Sequence, residues 1–354
     1  MIWERKVAVS KMTSSINSGT NTWSAPSNIA LVKYWGKKPV QLPANASLSL
    51  TLNKSKTIVK TKWEKCTDKE AQLAFTFEGK ETPSFNQKIQ KWYESLKREM
   101  TFLNQVKLTI NSTNTFPHSA GIASSASSMA ALSLSLMDLA KTIGVIDLDE
   151  ASWLKMASSY ARLGSGSAAR SVYPVAASWG LVDNEFASAV QDIHPVYRDF
   201  GDAILIVDSG TKAVSSSLGH ELMNKHPYRD LRFAMANRRV GELVELLKKD
   251  DFEHFSHLVE VEALELHSMM MTSNPSFILM KPKTLEIIDR VRKARANGHE
   301  ICFTLDAGPN IHLLYPQRAR EFAMKFVSEC KSADLLDQGQ WIDDQVGNGP
   351  TKED

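Results

Sequence analysis

Along "SLSLTLNKSKTIVKTKWE", residues 47–64, apolar and polar positions alternate with a period of two. Leu48, Leu50 and Leu52 fall on one side, and Ser47, Ser49 and Thr51 on the other. This pattern predicts a half-buried strand with a second strand after it. "SAPSNIALVKYW" (24–35) reads as a strand leaving a turn, and "QLAFTFEG" and "VKLTINSTN" as further strands. "PSFNQKIQKWYESLKREM" changes to helical spacing and opens on Pro83-Ser84, a favourable helix start. In "FPHSAGIASSASSMAALSLSLMDLAKTIG" a glycine and serine loop runs into a long helix of small residues and leucines, and "DEASWLKMASSYARL" is another amphipathic helix. From about residue 196 the texture changes. "GDAILIVDSG" predicts a strand ending in a turn. Helices follow in "YRDLRFAMANRRVGELVELLKK", "FEHFSHLVEVEALELHSMMM" and "TLEIIDRVRKARANG". The strands "ICFTLDAG" and "IHLLYP" and a helix around 318–330 complete the unit. Strands then helices in each half predict an α+β fold with two layers per domain.

A chain of 354 residues exceeds one core of usual size and predicts two domains. We divide it into a polar N-terminal extension (1–22), an N-terminal α+β domain (23–195), a C-terminal α+β domain (196–333) and an acidic, frayed tail (334–354). Composition excludes several classes of function. The net charge is +2, with signs mixed throughout, so nothing points to nucleic acid or a membrane surface. The richest apolar run, "MAALSLSLMDLA" (129–140), is too short and too serine-rich to span a bilayer. The N-terminus lacks the apolar core of a signal peptide. Cys66, Cys302 and Cys330 are odd in number and far apart. They predict neither a disulfide framework nor a metal site, and suit a reducing, cytoplasmic setting.

Four segments concentrate small or charged residues where packing would favour bulk. Gly164-Ser165-Gly166-Ser167-Ala168-Ala169 fits the outline of a dinucleotide-binding turn. Such a turn must follow a strand and open a helix, whereas this one follows a helix. Its hydroxyls and amides, with Arg170 behind them, form either a polar anion cradle or a helix cap beside a surface arginine. Pro117 to Ser127 leads a strand into a helix, where free N–H groups and the helix dipole favour an anion. Equally, it could be a small-residue helix packed tightly on its neighbour. It lacks the Gly-Lys-Ser/Thr ending of a Walker A loop. "LDAGPN" fixes Asp306 at a strand end, as a functional carboxylate or as a structural turn. In "VKYWGKK", Lys33 and Lys37 share one strand face and Tyr34 the other, unless Gly36 turns the chain. His254, His257 and His267 lie in one helical region, better read as a solvated face than as metal ligands. His220-Glu221 lacks the second histidine of a zincin, and no G-x-S-x-G elbow occurs.

Taken in order, "APSNIALVKYWGK", "LPANASLSLTL", "FPHSAGIASSAS", "GSGSAARS" and "DAGPN" resemble mevalonate diphosphate decarboxylase, of the galactose, homoserine, mevalonate and phosphomevalonate kinase superfamily. The likeness covers about residues 24–315. It implies two α+β domains, each a sheet layered with helices, with the active site in the cleft between them. The implied reaction uses ATP and Mg²⁺ to phosphorylate the 3-hydroxyl of mevalonate 5-diphosphate; phosphate and CO2 then leave, giving isopentenyl diphosphate. By resemblance, Ser119, Ala120, Gly121, Ile122, Ala123, Ser124, Ser125 and Ser127 would hold ATP. Tyr34, Trp35, Gly36, Lys37, Ser165, Gly166, Ser167, Ala168, Ala169 and Arg170 would hold the substrate, Arg170 at its carboxylate. Ser216 and Ser217 match another substrate-contacting segment, and Lys88 aligns with a family arginine that reaches the diphosphate.

Asp306 would orient the 3-hydroxyl and accept its proton late, because full deprotonation by an ordinary carboxylate is uphill by about 1.4 kcal/mol per pKa unit. Lys33 would keep Asp306 ionised. The resemblance also implies a homodimer. Two positions depart from the usual pattern: Lys38-Pro39 follows Lys37 where Arg-Asp is common, and His118-Ser119 replaces Thr-Ala or Ser-Ala. A decarboxylase of mevalonate 5-phosphate, a plain small-molecule kinase and a catalytically silent nucleotide-binding regulator are the competing readings. The presence of Lys33 and Asp306 argues against the plain kinase, and that of Lys33, Arg170 and Asp306 against the regulator.

Overall fold

The computed structural model describes residues 18–66, 73–117, 122–210 and 216–353. Its organising element is the strand β4 (Ser47–Lys65), which changes partner halfway along. β1 (Gly19–Val32) lies antiparallel along one edge of it, with register shifts between Pro26 and Asn28 and between Ala30 and Val32. On the other edge, residues 57–65 pair with β6 (Val106–Asn114) and residues 47–50 with β7 (Ala176–Trp179). β5 (Leu73–Phe77) adds in parallel to β6, and β8 (Ala187–Ala189) in antiparallel to β7. β2 (Lys37–Lys38) and β3 (Leu42–Pro43) form a two-stranded ribbon between β1 and β4. The expected pair of strands is thus one 19-residue strand. Nor is its first part half-buried: Leu48, Leu50 and Leu52 enter a core, while Ser47, Ser49 and Thr51 are also shielded from water. The alternation is present, but the polar face is occupied by Arg170 and the Tyr173 carbonyl instead of solvent.

Helices α1 (Pro83–Leu96), α2 (Ser124–Thr142) and α3 (Glu150–Gly164) cover this sheet. Trp92, Tyr93, Leu108, Leu132, Met137 and Trp179 fill the core between them. α2 is central, and its buried serines are satisfied: the Ser133 hydroxyl donates to the Ala157 carbonyl at 2.7 Å and that of Ser135 to Thr61 Oγ1 at 2.6 Å.

The second half is built on β9 (Gly201–Leu205), β10 (Cys302–Thr304), β11 (Ile311–Tyr315) and β12 (Trp341–Gln345), in the order β10-β11-β9-β12 and all antiparallel. α4 (Ser216–Leu222), α5 (Arg229–Leu246), α6 (Phe252–Met271), α7 (Pro282–Ala296) and α8 (Arg320–Ser332) complete it. Ile287, Val291, Phe303, Leu313 and Phe326 form a core under α7 and α8. A further core joins the halves, with Ile29, Leu31, Leu48 and Leu50 packed among Ile204, Val240, Phe255 and Leu314. Each such side chain stabilises by about 1.5–3 kcal/mol when fully buried. The two halves are therefore held in fixed relation, with the catalytic candidates at their junction.

Both ends of the chain depart from expectation. β1 starts inside the predicted extension, because Asn21 is buried against α2 and donates to the Ser135 carbonyl at 3.0 Å and to Asp138 at 2.9 Å. The predicted frayed tail supplies β12, and β13 (Thr351–Glu353) pairs with β1. Asp344, in that acidic segment, is buried and accepts the backbone N–H groups of Asn53, Lys54 and Ser55 at 2.8–3.0 Å. Its charge closes an irregularity in β4, not a solvated end.

Candidate active site

A cavity of about 240 Å³ opens where the halves meet. At its floor Lys33 Nζ lies 3.1 Å from Asp306 Oδ1. Lys33 follows directly on the end of β1, and three elements hold it. Its backbone N–H donates to Glu262 of α6 at 2.9 Å, its carbonyl accepts from Asn45 at 2.9 Å, and Nζ also donates to the Ala30 carbonyl at 2.6 Å. Burial pulls the Lys33 pKa down, against the pull of Asp306 in the opposite direction. Asp306 stands in the turn after β10, where Gly308 N–H donates to its carbonyl at 2.7 Å. His267 Nε2 is 3.1 Å from the same carbonyl. Burial lowers the His267 pKa to about 4, so the neutral ring donates there and fixes the Asp306 backbone.

Arg170 is 2 % exposed, yet its hydrogen-bond partners are uncharged oxygens. Nε donates to Ser49 Oγ at 2.9 Å, Nη1 to Ser47 Oγ and Nη2 to Asn28 Oδ1 at 3.3 Å. Burial pulls its pKa down to about 10, with Asp306 opposing through space. A guanidinium shielded from water and held by neutral groups retains its attraction for an anion in the cavity that it lines.

The wall beyond carries more positive charge. Gly36 adopts φ +111°, a conformation that favours glycine, and a Cβ there would meet Phe233 at 2.8 Å. The turn resolves the strand-face question: Lys33, Tyr34, Trp35 and Lys37 all line the cavity. Lys88 of α1 lines it as well. Burial lowers the pKa of both Lys37 and Lys88, and Lys88 lowers that of Lys37 further by repulsion. The Tyr34 hydroxyl is buried without a hydrogen-bond partner among the described residues. Tyr34 lies so close to Gly166 that a Cβ there would stand 2.6 Å from its ring.

Ala123, Ser125, Ser165, Gly166 and Ser167 also line the cavity, and the Ser125 and Ser165 hydroxyls are 3.1 Å apart. Ser124 and Ser125 border an adjoining cavity of about 80 Å³, walled by Phe75, Phe77 and Phe85 with Ser112 and Asn114. Other expected site residues are not brought in. Ala168 and Ala169 are wholly buried in the core under α2, and Ile122 in the core between the halves. Ser127 is buried with its hydroxyl 2.6 Å from that of Thr57. Gly36 presents its N–H to His220. Ser119, Ala120 and Gly121 lie outside the described residues, as do the side chains of Ser216 and Ser217, at the start of α4. Among the described residues no group of three or more His, Cys, Asp or Glu side chains could hold a metal.

Sequence reasoning did not single out Asn28, Ser47, Ser49, Glu262 or any role for His267 at Asp306. Ser47 and Ser49 stood out only as the polar phase of an alternating strand. Glu262, in "VEVEALELH", carries no signal that separates it from Glu260 and Glu265 on either side.

Two α+β halves meeting over a cation-lined cleft are the architecture of the galactose, homoserine, mevalonate and phosphomevalonate kinase superfamily. Within it the chain belongs to the diphosphomevalonate decarboxylase family. Residues 25–189 match the diphosphomevalonate decarboxylase-like N-terminal domain, and residues 203–347 the mevalonate 5-diphosphate decarboxylase C-terminal domain. Diphosphomevalonate decarboxylase of Candida albicans is 31% identical over 317 residues, covering 83% of each chain. The mevalonate diphosphate decarboxylase structure from Staphylococcus aureus superposes with a TM-score of 0.82 at 26% identity, covering 95% of this chain and 98% of that one. A structure of MDDEF in complex with MVAPP, AMPPCP and magnesium gives 0.80 at 26% identity, covering 95% and 99%. No helix among the described residues is long and apolar enough to cross a membrane.

Proposed function

We propose that this chain is an ATP-dependent decarboxylase that converts mevalonate 5-diphosphate to isopentenyl diphosphate, ADP, phosphate and CO2. One observation carries the reading: a buried arginine held by neutral oxygens faces the same cavity as a lysine-held carboxylate. A plain kinase needs a group to accept the proton of the hydroxyl it phosphorylates. A decarboxylase needs in addition a receptor for the carboxylate that leaves as CO2, and Arg170 supplies one.

Arg170 binds the substrate carboxylate, while Lys37, Lys88 and the Tyr34 hydroxyl take the diphosphate. Asp306 orients the 3-hydroxyl and accepts its proton as the new P–O bond forms, with Lys33 holding the carboxylate ionised. The bond from ATP's γ-phosphorus to the bridging oxygen breaks at the same time, and ADP leaves with that electron pair; the C3–O bond then breaks, and phosphate leaves with its electrons. The C–CO2 bond breaks in turn, and its electron pair forms the double bond. The protein's contribution is to bring the groups together and exclude water.

The aromatic cavity of Phe75, Phe77 and Phe85 suits the nucleotide base, and the start of α2 its phosphates. The donor set there fits Mg²⁺ carried on those phosphates, because serine hydroxyls at α2 supply neutral oxygens and no carboxylate cage is required. Bound there, Mg²⁺ supplies neutralisation of phosphate charge. A cytoplasmic setting agrees with three free cysteines, and a homodimer follows from the resemblance.

The test is release of CO2 and ADP from ATP with mevalonate 5-diphosphate, run beside the 5-monophosphate. Equal release of both products with the diphosphate alone supports the reading. CO2 from the monophosphate would move the activity to that substrate. ADP without CO2 would make the protein a kinase, and silence with both would leave a binding protein.

A further inference from the structure

His220 is a titratable cavity-lining residue that no step above uses. It stands on α4, in the second half, yet its ring lies between two aromatic side chains of the first. Its centroid is 4.5 Å from that of Tyr34 and 4.8 Å from that of Trp35. Gly36 N–H donates to its Nδ1 at 3.0 Å. The approach is close because Gly219, the preceding residue, has no Cβ; one there would clash with the Trp35 ring. Burial, reinforced by Lys37, lowers the ring's pKa to about 3. Nδ1 is therefore an acceptor at any working pH, and the ring proton sits on Nε2. Three consecutive residues of the Tyr34–Lys37 turn are thus held by one imidazole from the opposite side of the cleft.

We propose that His220 is a positioning residue: it fixes the Tyr34–Lys37 turn from α4 and thereby sets the affinity for the substrate's phosphate end. The ligand named here rests on the proposed function, whereas the contact does not. Without His220 the buried Gly36 N–H loses its acceptor and the turn its packing, so Tyr34 and Lys37 lose their preset placement. Binding weakens, while the Lys33–Asp306 pair that serves the chemical step is unaffected.

Two variants separate the roles of the ring. His220→Phe keeps the aromatic contacts and removes the acceptor. In His220→Asn the side-chain oxygen can take the place of Nδ1. In His220→Phe we expect KM for mevalonate 5-diphosphate to rise about tenfold, the scale of one unmet buried donor, with kcat and KM for ATP within about twofold. His220→Asn should restore most of the affinity. Inorganic pyrophosphate, titrated calorimetrically, should show the same order of binding, which makes the test independent of turnover. Hydrogen exchange at the Gly36 amide should be fast in His220→Phe and slow in wild type and His220→Asn.

Unchanged KM and pyrophosphate affinity in His220→Phe would overturn the proposal, as would a loss confined to kcat. Equal Gly36 protection in all three proteins would remove the contact itself. A wild type that binds pyrophosphate in the expected order but does not release CO2 would sink the decarboxylase reading and leave this one standing.

Discussion

Lys33 and Asp306 are 273 residues apart in the chain, and their side chains meet at 3.1 Å on the floor of the cleft. The lysine is almost wholly buried, and the aspartate keeps a quarter of its side chain exposed. Asp306→Asn should abolish turnover while ATP and substrate still bind, read by product release beside calorimetry. Lys33→Met should reduce kcat by about 100-fold or more, because the fixed cation beside Asp306 is lost. Its stability should change by no more than about 1 kcal/mol, because Asp306 can hydrate where a fully buried partner could not.

The pH dependence follows from the same pair. Burial places the Lys33 pKa below its ordinary 10.5, so the lysine loses its charge early as pH rises. Turnover should therefore show an alkaline limb that starts below pH 10.5. Between the folded and unfolded pKa values the unfolded chain binds more protons, so stability relative to Lys33→Met should rise with pH across that window. Denaturant midpoints of the two proteins at several alkaline pH values check the sign.

Arg170 depends on its fork. Arg170→Lys keeps the charge but cannot reach Ser47, Ser49 and Asn28 together. We expect KM for the substrate to rise by tenfold or more, about 1.4 kcal/mol at least. Ser49→Ala should act in the same direction and more weakly, because it strands one N–H of the guanidinium. Steady-state kinetics with substrate varied at saturating ATP distinguishes them.

Glu262 should be the most sensitive acid in the second half. It is fully buried, pairs with Arg232 and Arg239, and receives the Lys33 backbone N–H. Glu262→Gln leaves two buried guanidinium groups without their shared charge and should destabilise the fold by about 3–5 kcal/mol. Glu265→Gln, at a residue about one-third exposed in the same cluster, should cost about 1 kcal/mol or less. Urea unfolding of both variants checks the contrast.

The end of the chain gives a graded test. Removing 351–354 deletes the exposed edge strand β13 and should lower the melting temperature by a few degrees at most, about 1 kcal/mol. Removing 341–354 takes β12 from the second sheet and Asp344 from the backbone of Asn53, Lys54 and Ser55. That truncation should be recovered insoluble or unfolded by circular dichroism.

Periodicity is local, and it was sufficient wherever an element is long. The helices α1, α2, α3, α5, α6, α7 and α8 and the strands β5, β6, β9, β10 and β11 stand where spacing and caps put them, β1 starts earlier than expected and β4 replaces two expected strands, and the ordered motifs carried the family. What sequence spacing could not express is which polar phase ends up inside. Ser47 and Ser49 read as a solvated face until Arg170 lies across them. Asp344 read as tail solvation until three N–H groups of β4 reach it. β7 and β8 are too short for a period to show, and β12, in a segment read as a frayed tail, is a strand because β9 offers it an open edge. Residue types and their order thus determined the family and the candidate chemistry. Only tertiary contact decided which lysines are buried, which buried arginine is held by neutral oxygens, and that a histidine on α4 packs on the Tyr34–Lys37 turn. Burial and charge pairing across hundreds of residues are properties of the folded chain, and no local window contains them.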